Sequence, residues 1–254
     1  MNVIVLQHVA VEHPGVFRDF FREDGLRVYT VELDEGEHIP NLEPFDLMVV
    51  MGGPQDVWQE GQYPWLRGEK EIIRKFVVDM QRPYLGICLG HQLLADALGG
   101  RVIPAKSPEV GVMSISKTSA GKSDQVFESL PNSLKVLQWH GAEVSDLPAG
   151  ATVLASSDAC GIQAFRFGRH AYGMQFHVEV TAETVANWAA IPEYARALEK
   201  AMGPGAVKQL GNQVSAELSR FNKNARSLYD SFKAVWFVRS HPFGYPTNSC
   251  TAKI

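Results

Sequence analysis

The sequence predicts an α/β fold on a mixed sheet, and three observations carry that expectation. Short, nearly continuous apolar runs recur early with room for helices between them, as in buried parallel strands. One of these runs passes through a glycine-flanked cysteine into a helical stretch, a strand–turn–helix junction. From residue 101 the texture changes to closely spaced short strands, which reads as an antiparallel section.

Taken in order, the early strands are Val3–Leu6, Arg27–Val31, Leu47–Met51 and Tyr84–Ile87. A helix is predicted over Arg67–Met80, where Ile72, Ile73, Phe76, Val77 and Met80 fall at helical spacing. A second helix runs from about His91 to Leu98 and stops at Gly99-Gly100. Later strands are expected at Arg101–Ile103, Val112–Lys117, Lys135–Trp139, Thr152–Ser156, Ile162–Phe167 and Ala171–Phe176, the last two joined as a hairpin by Gly168-Arg169-His170. After Thr181 the chain reads as helical. Apolar residues at 207, 210, 214, 218, 221, 225, 228, 232 and 235 alternate steps of three and four, the seam of a long amphipathic helix. The stripe is expected to pack on the main domain rather than to form an oligomer or partner interface. Beyond Ser240 the chain is turn-rich and expected to be irregular.

The 254 residues carry a net charge of −4, which argues against a general nucleic-acid binder. That total hides an asymmetry. Residues 1–189 hold 15 Lys and Arg against 24 Asp and Glu, whereas residues 190–254 hold 9 against 4. The expected division is therefore a catalytic domain over 1–189 and a helical extension with an irregular tail over 190–254. The three cysteines, Cys88, Cys160 and Cys250, are an odd number without a CxxC pair, so neither a disulfide framework nor a zinc site is expected. The start lacks a basic leader, and no run approaches the ~18 apolar residues of a membrane span. A cytoplasmic protein with no membrane partner is the expectation.

The chemistry concentrates in Gly86-Ile87-Cys88-Leu89-Gly90. Glycines allow the tight turn, and a cysteine at a helix N-terminus feels the positive end of the dipole, which favours thiolate. The Leu89 N–H is placed to meet an oxyanion at the attacked carbon. Cys160 and Cys250 have no such setting. Among eight histidines, His177 ends a strand and is followed two residues later by Glu179, which can fix its tautomer and support its charged form. The strand Met48–Met51 runs into Gly52-Gly53-Pro54 at the same sheet edge, so a Gly53 N–H is the candidate second oxyanion donor. Gly121-Lys122-Ser123 lacks the upstream glycine of a phosphate loop and is expected to be a surface turn.

Four ordered segments then resemble the class I (triad) glutamine amidotransferases, in their GMP-synthase-like branch. They are Met51-Gly52-Gly53-Pro54, Gly86-Ile87-Cys88-Leu89-Gly90-His91-Gln92, Gln138-Trp139-His140-Gly141 and Gly173-Met174-Gln175-Phe176-His177-Val178-Glu179-Val180. The resemblance implies a flavodoxin-like sheet, with Cys88 as nucleophile, His177 as acid/base and Glu179 as its orienting partner. It also implies oxyanion donors at Gly53 and Leu89, and glutamine contacts at Gly52, Gln92, His140 and Gly141. No cofactor or metal is implied. Val178 stands where the branch has proline, Gly-Ala-Glu follows His140 where Gly-Asp is common, and no ATP-using module follows. The expected substrate is glutamine or another γ-glutamyl compound, with a synthetase partner or a second copy of the chain as possible associates. A γ-glutamyl peptidase-like hydrolase and a non-catalytic binding protein on the same fold are the alternatives.

Overall fold

The computed structural model describes residues 1–240, so the turn-rich segment beyond Ser240 and Cys250 lie outside the described residues. A single nine-stranded sheet organises the chain. Its strands are β1 (Asn2–Gln7), β2 (Arg27–Glu32), β3 (Leu47–Val50), β4 (Tyr84–Ile87), β5 (Arg101–Lys117), β6 (Ser133–Asp146), β7 (Ala151–Ser156), β8 (Ala164–Phe167) and β9 (Ala171–Met174). Across the sheet they lie in the order β2-β1-β3-β4-β9-β8-β7-β5-β6. The five from β2 to β9 pair in parallel, and the remainder are antiparallel.

Helices fill the connections: α1 (Phe17–Glu23), α2 (Trp65–Arg74), α3 (Leu89–Ala97), α4 (Ser119–Lys122), α5 (Thr184–Trp188), α6 (Pro192–Met202) and α7 (Ala206–Ser240). The periodic stretch toward Met80 is helical as predicted, but its last turn, Lys75–Asp79, widens to π geometry while still burying Phe76 and Val77. The two strands predicted between 101 and 117 are one strand of 17 residues. It pairs with β6 on both sides of a register shift between Pro104 and Glu109, so the polar stretch that breaks the alternation in sequence does not end the strand. At Gly121 the expected surface turn is the four-residue helix α4, closed by the Thr118 hydroxyl accepting from the Gly121 N–H at 3.0 Å. Helix α1 has no counterpart among the sequence expectations, because seven residues give too little periodicity to read.

Alternation along the strands splits the core in two. Val3, Val5, Val49 and Leu85 face one side with Phe17 and Phe21 of α1. Ile4, Leu6, Met48 and Val50 face the other with Ile73, Phe76, Leu93 and Leu94. The first of these faces is covered by α7, whose Ala225, Leu228, Tyr229, Phe232 and Trp236 belong to the same apolar cluster. Further back, Leu210, Val214 and Phe221 join Trp139, Trp188, Tyr194 and Leu198 in a third cluster. The stripe read from the sequence is thus buried against the sheet and against α5 and α6, with Leu218 and Val235 half-buried and Val207 exposed. Ion pairs Arg226–Glu23, Lys233–Asp24 and Lys135–Glu217 tie the basic helix to α1, the turn after it and β6. At their exposure these add little beside the apolar contact. Among the described residues, no helix is long and apolar enough to cross a membrane.

Candidate active site

Parallel strands β1, β3, β4 and β9 end at one edge of the sheet, and the candidate residues collect there. Cys88 follows β4 and caps α3 with φ 53°, ψ −106°. Left-handed φ is costly for a residue with a side chain, and such strain concentrates at functional positions. Several bonds hold the turn. The Cys88 N–H donates to the Met174 carbonyl at 2.8 Å, and the Gly90 N–H donates to the Met51 carbonyl at 3.1 Å. The Tyr84 hydroxyl donates to the Gly90 carbonyl at 2.7 Å.

The two glycines are required by close approach. A Cβ at Gly90 would lie 2.1 Å from the Val50 carbonyl oxygen, and one at Gly86 would lie 2.4 Å from the Gly90 carbonyl oxygen. Gly90→Ala is therefore expected to destabilise the protein by at least the ~1–3 kcal/mol of an overpacked core site. Urea unfolding checks this, and a midpoint equal to that of the unmutated chain would contradict the packing described.

His177 is fixed from two sides. Its backbone forms a paired bridge with Leu137 of β6, donating at 2.9 Å and accepting at 3.0 Å. Its Nδ1–H donates to Glu179 Oε1 at 2.6 Å. The ring is packed edge-on against Trp188 at 4.7 Å and lies close enough to Cys88 for the two to interact electrostatically. Burial alone would push the imidazole down, but the Glu179 carboxylate and the Cys88 sulfur hold it well above its usual value. For Cys88, burial pushes the thiol above its usual value, and His177 and the Leu89 N–H offset that only in part. The second Glu179 oxygen accepts from the Val178 N–H at 3.0 Å. A proline at 178 could not make that bond, so the departure at this position adds a hold on the carboxylate. The neighbouring His91 is a different case, since burial holds it neutral, down to about 3. Cys160 is buried and its thiol is pushed up to about 12, as befits an unreactive core residue.

Cys88 opens on a cavity of about 470 Å³ whose wall includes Gly53, Leu89, Gln92, His140 and Gly141. Gly52 lies outside that wall, its carbonyl turned toward His8. Gln92 lines the cavity, yet its amide nitrogen donates to Gln175 Oε1 at 3.0 Å and to the Ala142 carbonyl at 3.2 Å. Its visible role is to brace Gln175, whose own amide reaches Cys88 Sγ at 3.6 Å. The His140 ring is pinned between the Ala142 carbonyl and Glu109, and His140 and Gly141 both line the cavity.

Sequence reasoning missed Glu12, Trp188 and Tyr194. Glu12 is buried beside the Cys88–His177 pair, accepts from the Tyr194 hydroxyl, and has its other oxygen against Gly52. Burial pushes its carboxyl up, against the pull of His177 and Tyr194. Its loop position gives it no periodicity, and Tyr194 comes from α6, 182 residues later in the chain, so no local spacing signals the contact. Gln175 lies inside a motif that the sequence already singles out and is readable from it.

The family model of class I glutamine amidotransferases matches residues 17–187. The chain belongs to this family. It is 34% identical over 189 residues to a glutamine amidotransferase-like protein, YfeJ, of Salmonella typhimurium, covering 73% of this chain and 78% of that one. Gamma-glutamyl peptidase 3 of Arabidopsis thaliana is 30% identical over 175 residues, 66% and 69% of the two chains. One subunit of the glutamine-hydrolysing GMP synthase of Pyrococcus abyssi is 35% identical over 147 residues, 58% and 77% of the two chains. Among solved structures, a glutamine amidotransferase of Thermotoga maritima superposes with TM-score 0.81 at 33% identity, covering 91% of this chain and 97% of that one. The sheet is accordingly the flavodoxin-like sheet of this family. The family match ends before α6, so the cavity wall formed by Glu193, Tyr194, Ala197 and Lys200 lies beyond the matched residues.

Proposed function

We propose that this protein is a cysteine amidohydrolase that cleaves γ-glutamyl amides through a thioester on Cys88. The observation that supports it most is the buried line of Cys88, the His177 ring whose charge couples to it, and Glu179 hydrogen-bonded to that ring, set at the wall of a cavity. In this reading the Cys88 thiolate attacks the γ-carbonyl carbon, forming a C–S bond and an oxyanion. The N–H groups of Gly53 and Leu89, which among the described residues donate to no backbone carbonyl, receive the oxyanion. As the C–N bond breaks, the proton on His177 Nε2 goes to the leaving nitrogen. Water then attacks the thioester with His177 as base, releasing glutamate and restoring the thiolate. Gln175 donates toward the sulfur throughout. Trp188 and buried Glu12 wall the pair from bulk water.

A second reading, hydrolysis of γ-glutamyl peptides or conjugates in place of free glutamine, is favoured by the cavity. Its volume of about 470 Å³ falls in the range of sites that enclose drug-sized ligands. Its α6 side adds an apolar strip, Ala197 and Ala201, flanked by Glu193 and Lys200. Such a wall suits a leaving group that carries both charge and apolar bulk.

One experiment tests both. Glutamine, γ-glutamyl dipeptides and glutathione are compared by release of ammonia, amine and glutamate, with Cys88→Ala alongside. Cys88→Ala is expected to remove all turnover. Activity that survives it would overturn the mechanism. Dipeptide cleavage with glutamine untouched would select the second reading.

A further inference from the structure

Behind the glycine turn lies a buried pair that the mechanism above does not use. His8 follows β1 directly, Glu69 sits on α2, and both are fully buried. The His8 Nδ1–H donates to the Gly52 carbonyl at 2.9 Å, and Nε2–H donates to Glu69 Oε1 at 3.0 Å. Both ring nitrogens therefore face acceptors, which is the arrangement of an imidazolium beside a carboxylate. Burial works against that charge, but Glu69 and the Gly52 carbonyl outweigh it and His8 is raised from its usual value. The pair is held rigidly. Trp65 stacks on the His8 ring at 5.4 Å, and Gln55 Nε2 donates to the His8 carbonyl at 3.2 Å.

The carbonyl that His8 grips belongs to the peptide between Gly52 and Gly53. No cis peptide occurs among the described residues, and in a trans peptide the C=O and N–H point opposite ways. With the Gly52 carbonyl turned inward to His8, the Gly53 N–H points away from it. Gly53 lines the cavity beside Cys88 and Leu89. It is wedged there: a Cβ on Gly53 would lie 2.6 Å from His8 Cβ and 3.1 Å from Leu89 Cδ2. A hydrogen bond to a peptide carbonyl also polarises the peptide and strengthens its N–H as a donor.

We propose that His8, held by Glu69, is a positioning residue of this site: its grip on the Gly52 carbonyl fixes the Gly53 N–H as a donor to the γ-carbonyl oxyanion. The inference rests on Cys88 being the nucleophile. It assigns a task to the residue that follows the first strand, outside the motifs that mark the family. An unbraced Gly-Gly peptide would be free to rotate and present its carbonyl to the oxyanion, a repulsive arrangement. A pre-set donor avoids that reorganisation at the moment of reaction.

The test compares His8→Leu, His8→Asn and Glu69→Gln in the full chain. Three quantities are read: kcat and KM on the substrate chosen by the panel, affinity for the γ-aldehyde of glutamate, and the rate of Cys88 alkylation by iodoacetamide. The aldehyde adds the thiolate to form a hemithioacetal whose oxygen occupies the oxyanion site, whereas alkylation makes no oxyanion. His8→Leu is expected to lower kcat and aldehyde affinity together, by about the 10²-fold that loss of one oxyanion donor costs, with KM and alkylation unchanged. In His8→Asn the side-chain amide stands near the place of Nδ1–H and is expected to recover much of the loss. Glu69→Gln keeps an acceptor for Nε2–H but removes the charge, and a smaller loss on the same two readouts is expected.

A fall in alkylation parallel to the fall in kcat would show a disturbed Cys88–His177 pair and overturn the inference. Unchanged aldehyde affinity in His8→Leu would also overturn it. If His8→Leu does not fold, Glu69→Gln decides, and aldehyde affinity equal to that of the unmutated chain sinks the idea. An unmutated protein that is alkylated at Cys88 but neither turns over any panel substrate nor binds the aldehyde would overturn the underlying reading itself.

Discussion

Glu179→Gln is expected to lower kcat on any γ-glutamyl substrate by about 10⁴-fold, the cost of the same carboxylate-to-amide change in a Ser-His-Asp triad. The reason begins with burial. His177 and Glu179 are both nearly inaccessible to water, and the carboxylate 2.6 Å from Nδ1 is the largest of the charges that offset the burial of the imidazole. With glutamine at 179 that charge is gone, and desolvation pulls His177 down toward a neutral ring. Cys88 then loses the imidazolium that offsets its own burial, and its thiol rises. Geometry adds to the loss. Two donors, His177 Nδ1–H and the Val178 N–H, now point at the two carboxylate oxygens. An amide offers only one oxygen, so one donor would meet an NH₂ group.

The sign of the pH effect follows directly. In the unmutated chain His177 is raised, and its charge offsets part of the burial that holds the Cys88 thiol above its usual value. In Glu179→Gln thiolate appears only as the unassisted, buried thiol is titrated, which requires more alkaline solution. Carboxamidomethylation of Cys88 followed by mass spectrometry across pH is the measurement. A profile displaced to higher pH is expected. A profile that keeps its position while kcat falls would show that Glu179 orients the ring without setting its charge.

Much of this site is legible in the sequence because its parts lie on local patterns. Gly86, Cys88 and Gly90 stand within five residues, and the elbow they announce is set by backbone contacts that only glycine permits. His177 and Glu179 are two apart on extended chain and are readable as a pair. The fold class is equally accessible, since β1, β3 and β4 are apolar on both faces and can only be central strands. What escapes is non-local. Glu12 acquires its place from Tyr194 and Gly52, residues distant in sequence. His8 reads as one histidine among eight until the Gly52 carbonyl and Glu69 are brought to its two nitrogens. The uninterrupted run of β5 is also hidden, because its continuity is enforced by β6 and not by its own alternation.

Phe232→Ala on α7 is expected to cost about 3–5 kcal/mol, the range for truncating a buried phenylalanine. Phe232 is 1% exposed and packs edge-on against Tyr172 of β9 at 5.6 Å and against Trp236 at 5.7 Å. Tyr172 lies on the strand paired with β4, so the cavity left behind opens between α7 and the centre of the sheet. A domain of ordinary stability holds only about 5–15 kcal/mol in total, so this one change removes a large share. Two controls separate packing from charge. Lys233→Ala breaks the pair with Asp24, which lies partly in solvent, and is expected to stay within about 1 kcal/mol. Val207→Ala, at 44% exposure on the same stripe, is expected to stay within about 0.5 kcal/mol. Urea denaturation of the three variants gives the ordering. If Lys233→Ala proved as costly as Phe232→Ala, the basic helix would be held to the rest of the fold by charge. The expected ordering instead makes the helix an integral cover of the sheet, whose opposite charge serves alignment and whose apolar seam supplies the stability.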